Sequence, residues 1–132
     1  AAFANNSLTT LITGDIAFLY DSNALWNPHL TNNLRIIIIN NAGGGIFRFI
    51  DGPSEKEELE RFFESKHRLD AENIAKTYNI PYDCCNNYAA LTEKLPEFFE
   101  GKEQPSILEI KTPNEYNAAM LKEYVNYLKQ RS

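Results

Sequence analysis

At 132 residues and 15.1 kDa, the chain has material for one ordinary domain and little more. Its 43% hydrophobic and 23% charged residues exclude wholesale disorder, and 13 Lys and Arg against 18 Asp and Glu, a net charge of −5, argue against a nucleic-acid binder with its basic stripe. The longest apolar run near the middle, Ile36 to Ile39, is far short of the roughly 20 residues of a membrane span, and the adjacent Cys84 and Cys85 make neither a disulfide scaffold nor a CxxC pair. The chain therefore reads as soluble and cytoplasmic. It opens on Ala1-Ala2-Phe3-Ala4 with no initiator Met or signal peptide, and its only Met is Met120, as expected of a piece of a longer protein.

In chain order, Ser7 to Gly14 (SLTTLITG) is β-branched and apolar and is expected to form a short buried strand. Asp21-Ser22 can cap a helical segment through Ala24, Leu25 and Trp26 that Pro28 and Asn32-Asn33 should end. Arg35 to Asn40 (RIIIIN) carries four isoleucines without alternation, so both faces should be covered, as in a central strand of a parallel sheet. Ser54 with Glu57 forms a capping box for SEKEELERFFES, whose apolar face would be Leu59, Phe62 and Phe63. Asp70 can cap a helix carrying Ile74, Ala75 and Tyr78. Pro81 to Cys85 is a weaker strand candidate. Asn87 can cap Tyr88 to Glu100, with Gly101 as the stop. Ser106 to Lys111 (SILEIK) is a further strand, and a last helix from about Glu115 to Lys129 carries Tyr116, Met120, Tyr124 and Leu128 at spacing four. Strands alternating with helices predict a single α/β domain with a mostly parallel sheet.

Two strand ends carry unusual residues: Gly14-Asp15, and Asn40-Asn41-Ala42-Gly43-Gly44-Gly45. Ligands of open parallel sheets bind outside the carboxyl ends of strands, and neighbouring strands would bring both loops to one edge. Asp15 offers a hard anionic oxygen and Asn41 an amide oxygen, while the glycine run exposes backbone groups that can cradle phosphate. Each feature alone is ordinary turn chemistry. Neither fits GxxxxGK[ST] or GxGxxG, and the specificity lies in their conjunction.

GDI, some 25 residues, then NN resembles the cofactor motif of the thiamine-diphosphate-dependent enzymes. That resemblance implies Mg²⁺ (or Mn²⁺) ligation by Asp15, Asn41 and the carbonyl of Gly43. It implies cofactor contacts from Gly14, Asp15, Ile16, Ala17, Asn41, Gly43, Gly44, Gly45 and Ile46, with backbone N–H groups of Ile16 and Ala17 donating to phosphate. Ile46 and Phe47 would lie near the substrate. The motif's commonest form is GDG, and Ile16 in the third place points to a subfamily. The longer strings GDIAFLYDSNAL, IIIINNAGGGIFRFI and FFESKHRLDAENIAKTYNI resemble the branch that decarboxylates 2-oxoglutarate and adds the product to isochorismate in menaquinone biosynthesis. In that branch the asparagine run is often three long; Ala42 stands in the third place here.

The resemblance further implies that residues 1–132 are one incomplete diphosphate-binding, C-terminal domain of three layers. Truncation at its N-terminus would leave four strands in the order first, second, fourth, third. The catalytic glutamate that activates the cofactor would lie outside this chain, in a missing domain. The parent would be a homo-oligomer, a dimer or tetramer with the site at a subunit interface. The chain alone would be inactive and prone to self-association along an uncovered sheet edge. Two other readings compete: another thiamine-dependent decarboxylase or carboligase, and a non-enzymatic anion-binding α/β module. Asp15 weighs against the last, since an unneutralised carboxylate repels phosphate.

Other residues have plainer roles. His29 and His67 lack a second ligand at metal spacing and read as structural or surface residues. Cys84-Cys85 reads as a small buried pair, Glu55 to Arg61 as a solvated helix face, and the sequon Asn5-Asn6-Ser7 as chance. Arg35 and Arg48 have no place assigned by sequence, and the groups gripping substrate carboxylates are expected largely outside this chain.

Overall fold

The four isoleucines are covered on both faces, and the fold is built around them. A computed structural model of the chain describes residues 2–4, 6–50, 52–55, 58–100 and 103–131. Strands β1 (Thr9–Gly14), β2 (Leu34–Asn40), β3 (Tyr82–Cys85) and β4 (Ser106–Lys111) form an all-parallel sheet in the order β1-β2-β4-β3, as the resemblance implied. The helices are α1 (Asp15–Asp21), α2 (Ile46–Phe49), α3 (Glu72–Thr77), α4 (Tyr88–Phe99) and α5 (Asn114–Lys129). The chain divides into two compact units, Ala1–Asn40 with Asp70–Lys111, and Asn41–Leu69 with Thr112–Ser132.

The first unit holds the sheet. Successive residues of a strand face opposite ways, so Ile36 and Ile38 enter one core and Ile37 and Ile39 the other. The first core packs Phe18, Leu25, Ala71, Ala75 and Ile80 against Ile36, Ile38 and Ile107. The second packs Ala90, Leu91, Leu95 and Phe98, with Cys85, against Ile37, Ile39, Leu108 and Ile110. Helix, sheet and helix thus form the three layers expected of a parallel sheet.

Buried polar groups tie the layers together. Arg35 lies at the amino-terminal edge of the sheet. Its Nε donates to the Phe98 carbonyl at 2.9 Å, and its Nη1 to the Asn32 and Leu34 carbonyls at 2.8 and 3.0 Å. Nη2 donates to the Glu100 carbonyl at 3.5 Å, so the guanidinium closes the last carbonyls of α4. On β4, buried Glu109 accepts from Asn40 Nδ2 at 2.6 Å, from the Ala71 N–H at 3.4 Å and from the Tyr82 hydroxyl.

Several local expectations are corrected. The first strand is an edge with one strand neighbour, and Leu11 and Ile12 are exposed instead of buried. No side chain caps at Asp21; the turn Ser22–Trp26 is 3₁₀, and the Ser22 hydroxyl donates back to the Leu19 carbonyl at 3.0 Å. At α3 the residue before the helix is Ala71, and the Glu109 carboxylate takes its N–H, so Asp70 is not the cap. Asn87 does cap α4, its Oδ1 accepting from Ala90 N–H at 2.9 Å. Gly101 and Glu57 lie outside the described residues, as does Asn5 of the sequon.

The second unit holds α2, α5 and the segment expected to be one helix from Ser54. That segment instead forms a short 3₁₀ turn, Pro53–Glu55, and a wide π-turn, Leu59–Phe63, in which Glu64 N–H reaches back to the Leu59 carbonyl at 3.0 Å. The extra residue in the turn alters the face: Leu59 is buried, Phe62 is exposed, and Glu64 is fully buried. Helix α2 packs on α5, whose Tyr116, Met120, Tyr124 and Leu128 are exposed.

Candidate functional site

In the first unit, the register sets Gly14 beside Ile39, so β1 and the neighbouring β2 end on the same edge of the sheet. Asp15 follows at once and begins α1. It is 5% exposed, and its Oδ1 accepts the Ile16 N–H at 2.8 Å. The Ile16 donor thus has a partner within the chain, and Ala17 follows it in the first turn of α1. A side chain built on Gly14 would meet no atom within 4 Å, which leaves that approach open.

The second unit begins at Asn41, one residue after the end of β2. Its Nδ2 donates to Asn114 Oδ1 at 3.3 Å, while its Oδ1 is buried with no hydrogen-bond partner among the described residues. A buried amide oxygen without a partner is uncommon and calls for an explanation, of which a bound ion is one. The glycines after it are crowded, and Gly43 most severely, because there the neighbour is backbone. A Cβ on Gly43 would lie 2.7 Å from the Glu64 carbonyl, and one on Gly45 would lie 2.5 Å from Asn41 Nδ2 and 2.8 Å from Asn114 Oδ1. The Gly44 N–H donates to the Glu64 carbonyl, and the Gly43 carbonyl accepts the Gly45 N–H at 3.0 Å.

Glu64 is the hub of this loop. Its backbone carbonyl holds Gly44, while its carboxylate pairs with Arg48, accepts from Asn114 Nδ2 at 3.3 Å and lies 3.8 Å from Lys66 Nζ. Beside it, Ile46 is exposed at the start of α2, and the Phe47 ring packs on Phe63 with centroids 5.5 Å apart. His67 N–H donates to the Ala42 carbonyl at 3.2 Å, and its Nδ1 accepts the Leu69 N–H, which makes it a loop closure. His29 N–H is held by Asn27 Oδ1 at 2.9 Å. Cys85 is buried in the sheet core, which pushes its thiol pKa up and leaves it a poor nucleophile.

Sequence reasoning singled out neither Glu64 nor Asn114, nor Glu109. For Glu109 a signal existed, because a carboxylate inside a strand covered on both faces must find donors. For Glu64 and Asn114 none did, since an acidic residue after two phenylalanines and an asparagine after a proline are ordinary features of surface turns.

The oxygen donors at issue are one carboxylate (Asp15), one amide (Asn41) and one backbone carbonyl (Gly43). All are hard oxygen donors of the kind that suits Mg²⁺ or Mn²⁺. Among the described residues no cluster of three or more His, Cys, Asp or Glu gathers, which is a different class of site. None of the described helices is long and apolar enough to cross a membrane.

No family model matches the chain. Curated relatives do. The chain is 42% identical over 129 residues to a protein of Christiangramia forsetii, 44% over 128 residues to one of Flavobacterium johnsoniae, and 46% over 129 residues to one of Flavobacterium psychrophilum. These alignments take in 97–98% of this chain but only 22–23% of the relatives, so the chain spans less than a quarter of their length. All three relatives carry the same enzyme name.

Proposed function

We propose that this chain, which is homologous over nearly its whole length to one segment of the 2-succinyl-5-enolpyruvyl-6-hydroxy-3-cyclohexene-1-carboxylate synthases, is the diphosphate-binding part of such an enzyme. The parent would decarboxylate 2-oxoglutarate and add the product to isochorismate, giving the compound for which the relatives are named, a step of menaquinone biosynthesis. It would be a transferase that needs thiamine diphosphate and Mg²⁺, and a cytoplasmic homo-oligomer with its site at a subunit interface. Residues 1–132 form one incomplete domain on this reading, and the rest of the enzyme supplies the catalytic glutamate and most of the groups that grip substrate carboxylates.

The observation that carries the site is the buried, unpartnered Oδ1 of Asn41, immediately past the central strand and at the head of a crowded glycine run. Asp15, Asn41 and the Gly43 carbonyl would hold the cation, which would supply neutralising charge for the diphosphate. When bound, thiamine diphosphate supplies the electron sink for loss of carbon dioxide. This chain contributes placement. The Ala17 N–H would donate to the phosphates, and the Ile16 N–H, which Asp15 Oδ1 accepts here, would join it once Asp15 turns to the cation, with Gly14, Gly44 and Gly45 giving close approach. Ile46 and Phe47 present an apolar wall that excludes water where the substrate loses its charged carboxylate.

The test uses the full-length parent with Mg²⁺ and thiamine diphosphate, following 2-oxoglutarate with and without isochorismate, beside Asp15→Asn. Consumption that requires isochorismate and vanishes in the variant is the expected result. Consumption that ignores isochorismate would move the protein to another thiamine-dependent decarboxylase, and unchanged cofactor binding in the variant would remove Asp15 from the site.

A further inference from the structure

The donor and acceptor order around Glu64 leaves one arrangement for the amides beside it. The Glu64 carboxylate, paired with Arg48, only accepts, so Asn114 must turn its Nδ2 toward it. The Asn114 oxygen then faces Asn41, which must answer with its own Nδ2. Asn41 Oδ1 is what remains, buried and unpartnered. A reversed Asn41 amide would set two oxygens against each other, so its orientation follows from the hydrogen-bond chain. Gly45 makes room for the pair, since any Cβ there would collide with both amides.

We infer that Asn114, itself oriented by Glu64, is a positioning residue that sets the Asn41 amide with its oxygen as the cation-ligating atom. This rests on the reading of Asn41 as a ligand. Outer partners that orient a metal ligand are typically worth about 10- to 100-fold in metal affinity, and one long amide–amide bond belongs at the lower end of that range.

The experiment is a Mn²⁺ titration of the full-length parent at fixed thiamine diphosphate, with free Mn²⁺ read by electron paramagnetic resonance. It compares wild type, Asn41→Ala, Asn114→Ala, Asn114→Ser and Asn114→Asp. Melting without cation is recorded for each, and the two truncations at 114 ensure that the comparison does not hang on one folded variant. Asn41→Ala should weaken Mn²⁺ binding most. The truncations at 114 should weaken it about tenfold; Asn114→Asp keeps an oxygen for Asn41 Nδ2 but sets a second acceptor against Glu64, so it should melt lower without cation and yet recover most of the Mn²⁺ affinity. A purely structural role would make Mn²⁺ affinity follow cation-free melting across the three variants at 114, with the aspartate no better than the truncations. Wild-type Mn²⁺ affinity in folded Asn114→Ala or Asn114→Ser, with Asn41→Ala impaired, overturns the positioning role and leaves the ligand standing. Wild-type affinity in Asn41→Ala removes the ligand itself.

Discussion

Ala42 lies in the left-handed region at φ 62° directly after Asn41, a conformation costing a non-glycine residue about 1 kcal/mol and one that asparagine tolerates. Its side chain is exposed, so there is room for a larger one. Ala42→Asn should raise stability by about 0.5–1 kcal/mol, read as a higher urea midpoint at unchanged slope. A lower midpoint would mean that the methyl is packed in a way the backbone does not reveal. Gly45→Ala should do the reverse and also weaken cation binding, because its Cβ falls on the Asn41 and Asn114 amides. Tyr82 offers a pH test. Burial first, and its bond to Glu109 second, raise its pKa above the ordinary 10.0. A raised folded-state value means that the protonated hydroxyl contributes its full stability below about pH 10 and that stability falls as pH climbs beyond it. Tyr82→Phe should cost about 1 kcal/mol at neutral pH and flatten that alkaline decline in urea titrations between pH 8 and 11.

Among the elements, β1 and β2 read alike in sequence and differ in fold. Both are β-branched and apolar, yet Ile38 is 1% exposed and Ile12 is 67% exposed. Ile38→Ala should cost about 3 kcal/mol through lost transfer energy and a cavity, whereas Ile12→Thr should stay within about 0.5 kcal/mol. Equal losses in thermal or urea denaturation would contradict the edge position of β1. The isoleucine run was legible as a two-faced strand because it lacks alternation, and Asn87 as a cap because it precedes a strongly periodic segment. The caps at Asp21 and Asp70 were not legible. At Asp21 the chain runs from α1 straight into a 3₁₀ turn with no side-chain cap, and at α3 the N–H of Ala71 goes to Glu109, 38 residues further along the chain. The expected helix from Ser54 failed for a similar reason. Glu64 meets Arg48 and Asn114 across the unit, and these contacts outweigh the α-helical spacing of Leu59, Phe62 and Phe63.

At the scale of the whole molecule, relatives more than four times as long as this chain give its bare surfaces a context. Leu11 and Ile12 on an edge strand form a template for further pairing. The isolated chain is expected to self-associate through β1, and Ile12→Lys should shift it toward monomer in sedimentation velocity; an unchanged distribution would place the contact elsewhere. The sequence by itself determined the parallel α/β layout, and it marked Asp15 and the Asn41–Gly45 loop as the place to look; the strand order came only through its resemblance to a known family. The layout and the marked loop follow from local pattern and motif, which survive without knowledge of distant contacts. Only the tertiary structure decided that β1 is an exposed edge, that Arg35 closes α4, and that a hydrogen-bond chain runs from Glu64 through Asn114 to Asn41. Each of these depends on which polar group meets which across tens of residues, and a buried donor or acceptor takes whatever partner the fold delivers.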